Sequence, residues 1–256
     1  MTWVKICATT NLDDALASVA AGADALGFIF APSTRQITVE AASEIIAALP
    51  PAFEKIGVFV NQAPSHVAEV AGRTGLTGVQ LHGDEPAEQI PSFRRALGKR
   101  KIIKTLQARQ LLNDDAREQV VSAYLKLSED MDAILLDSGS PAQRGGTGIP
   151  FDWEEAVPIA GAIRTVMPLI IAGGLNADNV SKAIRLFKPF GVDVVSGVER
   201  SIGKKDETKL CSFLASVRLA EQVGPSVSQP RQPISESTEP RSGGVEVSPG
   251  REPRVR

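Results

Sequence analysis

The chain has 256 residues, with 28 Lys and Arg against 30 Asp and Glu, a formal net charge of −2. That length holds one barrel or two smaller domains, and the near-neutral charge gives no reason to invoke nucleic acid or an anionic membrane surface. No apolar run approaches the roughly 20 residues of a membrane span, the start Met1-Thr-Trp-Val-Lys-Ile-Cys7 has no secretory pattern, and two cysteines are too few for a disulfide framework, so a cytoplasmic protein is expected.

In chain order, residues 4–7 read as a short apolar strand, followed by a helix over 12–21 with acids in its first turn and a stop at Gly22. A second buried strand is predicted over 25–30 and a second helix over 38–49, ended by Pro50-Pro51. The third unit is a strand over 55–60, then Asn61 as cap and a helix to 71. The fourth pairs a strand over 78–81 with a helix over 84–97, and the fifth a strand over 102–106 with a helix over 113–127. After a strand over 133–136 and a glycine loop, a weaker helix over 153–163 contains Pro158 and Gly161. The runs 169–172 and 192–195 are continuous and β-branched, as strands buried on both faces are. Each leads into glycine, and Asn176 and Asp178 are natural caps for a helix running to about 187. The closing helix spans 206–222.

Strict alternation of eight strands and eight helices predicts a single-domain (β/α)8 barrel, a TIM barrel, over residues 1–223. An open doubly wound sheet would call for fewer units or a Gly-x-Gly-x-x-Gly turn after the first strand, which Cys7-Ala-Thr-Thr-Asn11 is not. Asp24, Asp132 and Asp193 form a weak echo that puts them at the bottom of the barrel, where residues serve stability. From 224 to 256 the chain turns rich in Pro and Ser without an aromatic residue, a composition expected to be disordered.

The active face of such a barrel is built from the C-terminal ends of its strands. Those ends carry Cys7, Arg35, His82 and Asp137, with the glycine turns Gly173-Gly174 and Ser196-Gly197. The backbone N–H groups of these turns suit a phosphate after strands 7 and 8. No run of ligands has metal spacing and no nucleotide-binding loop is present, so neither metal nor cofactor is expected. Cys7 as base and Asp137 as acid could work on opposite sides of a small substrate. The bland alternatives are a buried small hydrophobe for Cys7 and a turn-former for Asp137.

Together, Lys5-Ile-Cys7-Ala-Thr-Thr-Asn11, Gly27-Phe-Ile-Phe30 with Arg35, Gly57-Val-Phe-Val-Asn61, Val79-Gln-Leu-His82-Gly-Asp-Glu85, Leu135-Leu-Asp137-Ser138, Gly145-Gly-Thr-Gly148, Ala172-Gly-Gly-Leu175 and Ser196-Gly-Val-Glu199 resemble the phosphoribosylanthranilate isomerase family of tryptophan biosynthesis. The likeness covers about residues 3 to 222 and falls in every unit of the barrel. It implies a cofactor-independent Amadori rearrangement in which Asp137 protonates the furanose oxygen and Cys7 removes the proton from ribose C2. It also implies that Arg35 meets the anthranilate carboxylate, that His82 lines the anthranilate side, and that Gly173, Gly174, Ser196 and Gly197 hold the phosphate. Gly146, in the loop after the sixth strand, would close over the sugar.

Two positions depart from the family pattern. Ala8 stands where the family usually has glycine, at a cost of about 1–2 kcal/mol if that residue takes φ > 0, and Ile149 replaces a lysine. The partner expected is a small phosphorylated substrate, the chain acting as monomer or homodimer. The competing readings are an indole-glycerol phosphate synthase-like enzyme, which would want a lysine at a strand end where Lys5 and Lys104 are poor candidates, and a barrel that only binds a phosphorylated metabolite.

Overall fold

Eight short runs of apolar residues, each too short to be a stable helix and most bounded by turn-formers, become eight parallel strands. The computed structural model describes residues 1–112, 117–137 and 153–222. The strands are β1 (Trp3–Ile6), β2 (Ala25–Ile29), β3 (Glu54–Phe59), β4 (Gly78–Leu81), β5 (Lys101–Gln107), β6 (Ala133–Asp137), β7 (Leu169–Ala172) and β8 (Gly191–Val194). Each pairs in parallel with the next, and β8 returns to β1 with Lys5 opposite Asp193, so the sheet closes on itself without an edge. The expected (β/α)8 barrel is the observed architecture.

Around it lie the helices α1 (Leu12–Ala20), α2 (Val39–Ala47), α3 (Pro64–Thr74), α4 (Ile90–Leu97), α5 (Ala108–Leu112), α6 (Arg117–Leu125), α7 (Val157–Arg164), α8 (Val180–Phe187) and α9 (Glu207–Gln222). Three of them start on side-chain caps that take up free N–H groups: Asn11 accepts from Asp14 N, Thr38 from Ala41 N and Asp206 from Lys209 N. The main core fills the space between strands and helices, with Phe28, Phe59, Phe93 and Phe213 fully or almost fully buried. A smaller cluster of Ala25, Ile56, Ile103, Ala133, Leu135, Ile170 and Ala172 fills the inside of the barrel.

Several boundaries differ from expectation for local reasons. The helix expected from 84 begins only at Ile90, because 87–89 form a 3-10 turn and Pro91 sits in the first turn of α4, where its missing N–H costs nothing. Pro158 likewise lies in the first turn of α7 and does not interrupt it. Asn61 is not a helix cap. It leaves β3 at φ 52, and α3 starts later, at Pro64. The helix expected over 113–127 is α6, preceded by the separate α5, and residues 113–116 lie outside those described. Asn176 does not cap α8 directly: its Oδ1 accepts from Asp178 N and Asn179 N, an Asx turn that places Asn179 at the N-cap.

Two further findings correct the sequence reading. After β8 the chain makes an antiparallel pair, β9 (Glu199–Ser201) and β10 (Lys204–Lys205), where the sequence pattern marked no element. Asp193 does not sit at the barrel floor with Asp24 and Asp132. Those two precede β2 and β6 and accept the N–H groups of Val4 and Ile102 at 2.8 Å, whereas β8 already begins at Gly191, which carries Asp193 into the interior. The low-complexity segment 224–256 lies outside the described residues.

Candidate active site

Inward positions alternate along each strand, and they stack the barrel interior into layers. The lowest is apolar. Above it lies a polar layer made by Lys5, Gln80, Thr105 and Asp193, all nearly or fully buried. The mouth layer carries Cys7, His82 and Asp137, one period beyond Lys5, Gln80 and Leu135 respectively.

Cys7 continues β1 past its last paired residue, donating its N–H to Val194 O at 2.9 Å. It is 4% exposed. A Cβ on Gly27 of β2 would stand 2.5 Å from the Cys7 sulfur, so the thiol occupies space that only glycine leaves open. Lys205 Nζ donates to the Cys7 carbonyl at 2.6 Å and ties the end of β1 to the hairpin. The next residue, Ala8, is held at φ 61 and completely buried, so the position does demand the left-handed conformation that glycine adopts freely. Burial pushes the Cys7 thiol up, and the charge of Lys5 pulls it back down.

Asp137 ends β6 opposite Gln107 and Ala172. Across the mouth, His82 Nε2 stands 3.8 Å from Asp137 Oδ2. Lys5 Nζ donates to Gln80 Oε1 at 2.9 Å, which fixes the orientation of that amide. Gln80 Nε2 is therefore the atom 2.9 Å from His82 Nδ1, so the neutral ring carries its hydrogen on Nε2, toward Asp137. Thr105 Oγ1 completes the set, 3.1 Å from both Gln80 Nε2 and His82 Nδ1. Burial pushes His82 below its ordinary value and keeps the ring neutral, against the pull of Asp137.

Arg35 reaches from the loop after β2 to Glu199, at the start of β9. Nε lies 2.9 and 3.1 Å from the two carboxylate oxygens and Nη2 2.7 Å from one of them. This side-on pairing leaves the Nη1 edge of the guanidinium for a second anion. Hydrogen bonds to Glu199 push Arg35 further up. Glu199 also accepts from Gly203 N at 3.2 Å and lies 3.5 Å from Lys205 Nζ.

The glycine turns after β7 and β8 are set by close backbone packing. Gly173 and Gly174 take φ 93 and 63. A side chain on Gly197 would overlap the Leu175 carbonyl, so the 3-10 turn Ser196–Val198 rests directly on the loop after β7. Ser196 and Gly174 are exposed at this junction. Gly146, and Ile149 with it, lie outside the described residues. Among those residues no three His, Cys, Asp or Glu side chains converge as metal ligands. Neither lysine weighed for the competing reading is free at the mouth: Lys5 is paired with Asp193 at 2.9 Å, and Lys104 with Glu85 at 2.6 Å, each amine buried.

Sequence reasoning gave no site role to Lys5, Gln80, Thr105, Asp193, Glu199 or Lys205. The first two were open to it, since each lies two residues before a residue already singled out on the same strand, hence on the same inward face.

A closed parallel barrel with a thiol, a carboxyl group and two glycine turns at its C-terminal mouth is of the class of (β/α)8 enzymes. Residues 4–216 match the family model described as N-(5'-phosphoribosyl)anthranilate (PRA) isomerase. The chain is 44% identical over 216 residues to the N-(5'-phosphoribosyl)anthranilate isomerase of Geobacter sulfurreducens, covering 84% of this chain and 97% of that protein. It is similar to the crystal structure of phosphoribosyl anthranilate isomerase from Thermotoga maritima, with a TM-score of 0.71 and 40% identity over 85% of this chain and 99% of that one. A phosphoribosyl anthranilate isomerase in complex with reduced 1-(o-carboxyphenylamino)-1-deoxyribulose 5-phosphate matches with a TM-score of 0.69 and 38% identity, over 85% and 99% of the two chains. The chain belongs to the N-(5'-phosphoribosyl)anthranilate isomerase family.

Proposed function

We propose that this chain converts N-(5'-phosphoribosyl)anthranilate to 1-(2-carboxyphenylamino)-1-deoxyribulose 5-phosphate, an aldose–ketose isomerisation of tryptophan biosynthesis. The observation that carries the reading is the placement of Cys7 and Asp137 at the ends of β1 and β6, facing one mouth, in a chain that matches the family from residue 4 to 216.

The steps balance within the substrate. Asp137 gives its proton to the ring oxygen as the C1–O bond breaks, and the nitrogen lone pair closes a C=N iminium. The iminium acidifies the proton on C2, which the Cys7 thiolate removes. The electron pair left behind forms the C1=C2 enolamine and neutralises the nitrogen. Tautomerisation to the C2 ketone returns a proton to C1, so C2 is oxidised as C1 is reduced and no external oxidant or metal is called for. Gly173, Gly174, Ser196 and Gly197 hold the phosphate through backbone N–H groups, and the open edge of Arg35 holds the anthranilate carboxylate. Gly146 belongs to the loop that closes over the sugar. The catalytic unit ends near residue 223, the match stopping at 216, and it works in the cytoplasm, the compartment that suits two free thiols.

The test is loss of substrate fluorescence on turnover by the intact chain and by Cys7→Ala and Asp137→Ala. Each variant should lose on the order of 10²–10⁴-fold in kcat, the scale of a positioned acid or base, while still binding substrate. Wild-type rates in both variants would overturn the residue assignment. No turnover by the intact chain, with binding retained, would overturn the activity.

A further inference from the structure

We propose that Lys5, locked in the barrel interior by Asp193 and Gln80, is the counter-charge of the Cys7 thiolate and thereby a positioning residue for proton removal. This rests on the reading of Cys7 as the base.

The geometry begins with period two. Lys5 and Cys7 point inward from the same strand, so the ammonium lies one layer beneath the sulfur. Gly27 lets them meet: a Cβ there would stand 2.5 Å from Cys7 Sγ and 3.0 Å from Lys5 Cε, so both side chains cover one bare stretch of backbone. The Lys5 side chain has no exposure, and its Nζ donates to Asp193 Oδ1 and Gln80 Oε1, both at 2.9 Å. An ammonium has three donors. Two are taken by these oxygens, and the Cys7 sulfur, over the same bare stretch of Gly27, acts on Lys5 by charge.

An ion pair at this depth needs a reason other than stability, because desolvating both charges largely offsets their attraction. The layer next to it is Ala25, Ile56, Ile103, Leu135 and Ile170, to which a pair of apolar side chains would have added smoothly. What the pair supplies is a fixed positive charge under a group that must become an anion. Asp193 keeps Lys5 protonated against burial.

The charged groups around Cys7 are Lys5 on its own strand, Asp193 on β8, Lys205 on β10 and Arg35 after β2. Across the mouth stand His82, kept neutral by burial, and Asp137. Burial raises the thiol, Lys5 lowers it most, Asp193 opposes and Lys205 assists. Removing the Lys5–Asp193 pair therefore leaves burial the stronger influence.

In a Cys211→Ser background, ultraviolet thiolate absorbance and alkylation by iodoacetamide report Cys7 alone. Replacing the pair together, Lys5→Met with Asp193→Leu, should raise the Cys7 midpoint by at least one pH unit. Thiolate and kcat/KM at neutral pH should then fall roughly tenfold or more, the deficit shrinking as pH is raised. A merely structural pair would leave the midpoint in place, and an unmoved midpoint in the folded variant overturns the proposal. In the otherwise native chain, the ammonium resonance of nitrogen-labelled Lys5 should step at the Cys7 midpoint and lose that step in Cys7→Ala. Absence of the step overturns the proposal even if the double variant fails to fold. Full activity of Cys7→Ala would instead remove the base reading, while the titration would still report whether Lys5 governs the thiol.

Discussion

His82 Nε2 faces Asp137 Oδ2 across 3.8 Å while Gln80 and Thr105 hold the opposite side of its ring. The imidazole is thus aimed at the carboxyl group that, in the proposed mechanism, becomes an anion when the sugar ring opens. His82→Leu should lower kcat more than it changes KM. At 3.8 Å the pair is not yet a hydrogen bond; one that forms as the charge develops, about 1.5–3 kcal/mol, corresponds to roughly tenfold or more in rate. A rise in KM alone would make His82 a binding group and not a partner of the acid.

The same ring sets a pH window. Its folded value lies below the ordinary 6.5 because burial disfavours the imidazolium. Between the two values the unfolded chain binds a proton that the folded chain refuses, so this contribution to stability is complete above about 6.5 and declines as pH falls below it. Thermal melts of His82→Gln should depend less on pH in that range than those of the native chain. Parallel curves for the two proteins would contradict this.

Glu199 decides how Arg35 is presented. It occupies the Nε–Nη2 side and so leaves Nη1 outside the pairing. Glu199→Gln should raise KM by roughly tenfold with little change in kcat, the pattern of lost uniform binding. Burial pushes the Glu199 carboxyl up, but hydrogen bonds from Arg35 and the charges of Lys205 and Arg35 bring it below 4.5. Its stabilising contribution is accordingly present above 4.5 and lost as pH falls through the depressed value. A kcat loss with KM unchanged would place Glu199 in the chemistry instead.

Gly197 admits no side chain, since the Leu175 carbonyl lies where Cβ would go. Backbone cannot yield as a flexible side chain does. Gly197→Ala should separate the two loops of the cradle, weaken inhibition by inorganic phosphate at least roughly tenfold, and destabilise the fold by about 1–3 kcal/mol. Unchanged phosphate inhibition would take the cradle away from this turn.

Ala8 is strained at φ 61. Ala8→Gly should stabilise the fold by about 1 kcal/mol, the relief of the Cβ contact outweighing the added freedom of the unfolded chain. Chemical denaturation measures it directly, and a loss of stability would show that the buried methyl contributes more by packing than it costs by strain.

The barrel was legible because its strands are buried on both faces, so runs such as Leu169-Ile-Ile-Ala172 carry a signal that needs no partner to interpret. The hairpin Glu199–Lys205 was not, since its strands are polar and two or three residues long and exist through Lys205 and Glu199 contacts remote in sequence. Cys7 and Asp137 could be read from strand ends. Asp193 misled because its likeness to Asp24 and Asp132 was read from the flanking residues, whereas β8 begins at Gly191, one residue before the expected 192, so Asp193 lies within its strand and the other two before theirs. Lys5 was visible as a residue but not as a partner: only the closure of β8 on β1 brings it to Asp193, 188 positions away.

That closure has a consequence for the molecule's architecture. The backbone of Thr2 is held by Glu221 and by Arg218, the latter at 2.8 Å, so the first strand and the last helix are stitched together beneath the seam. With its start and finish side by side, the barrel is nearly a loop of chain already. A short peptide joining the two, with a new opening cut between α2 and β3, would preserve every neighbour in the ring and leave the catalytic rim on the opposite face undisturbed.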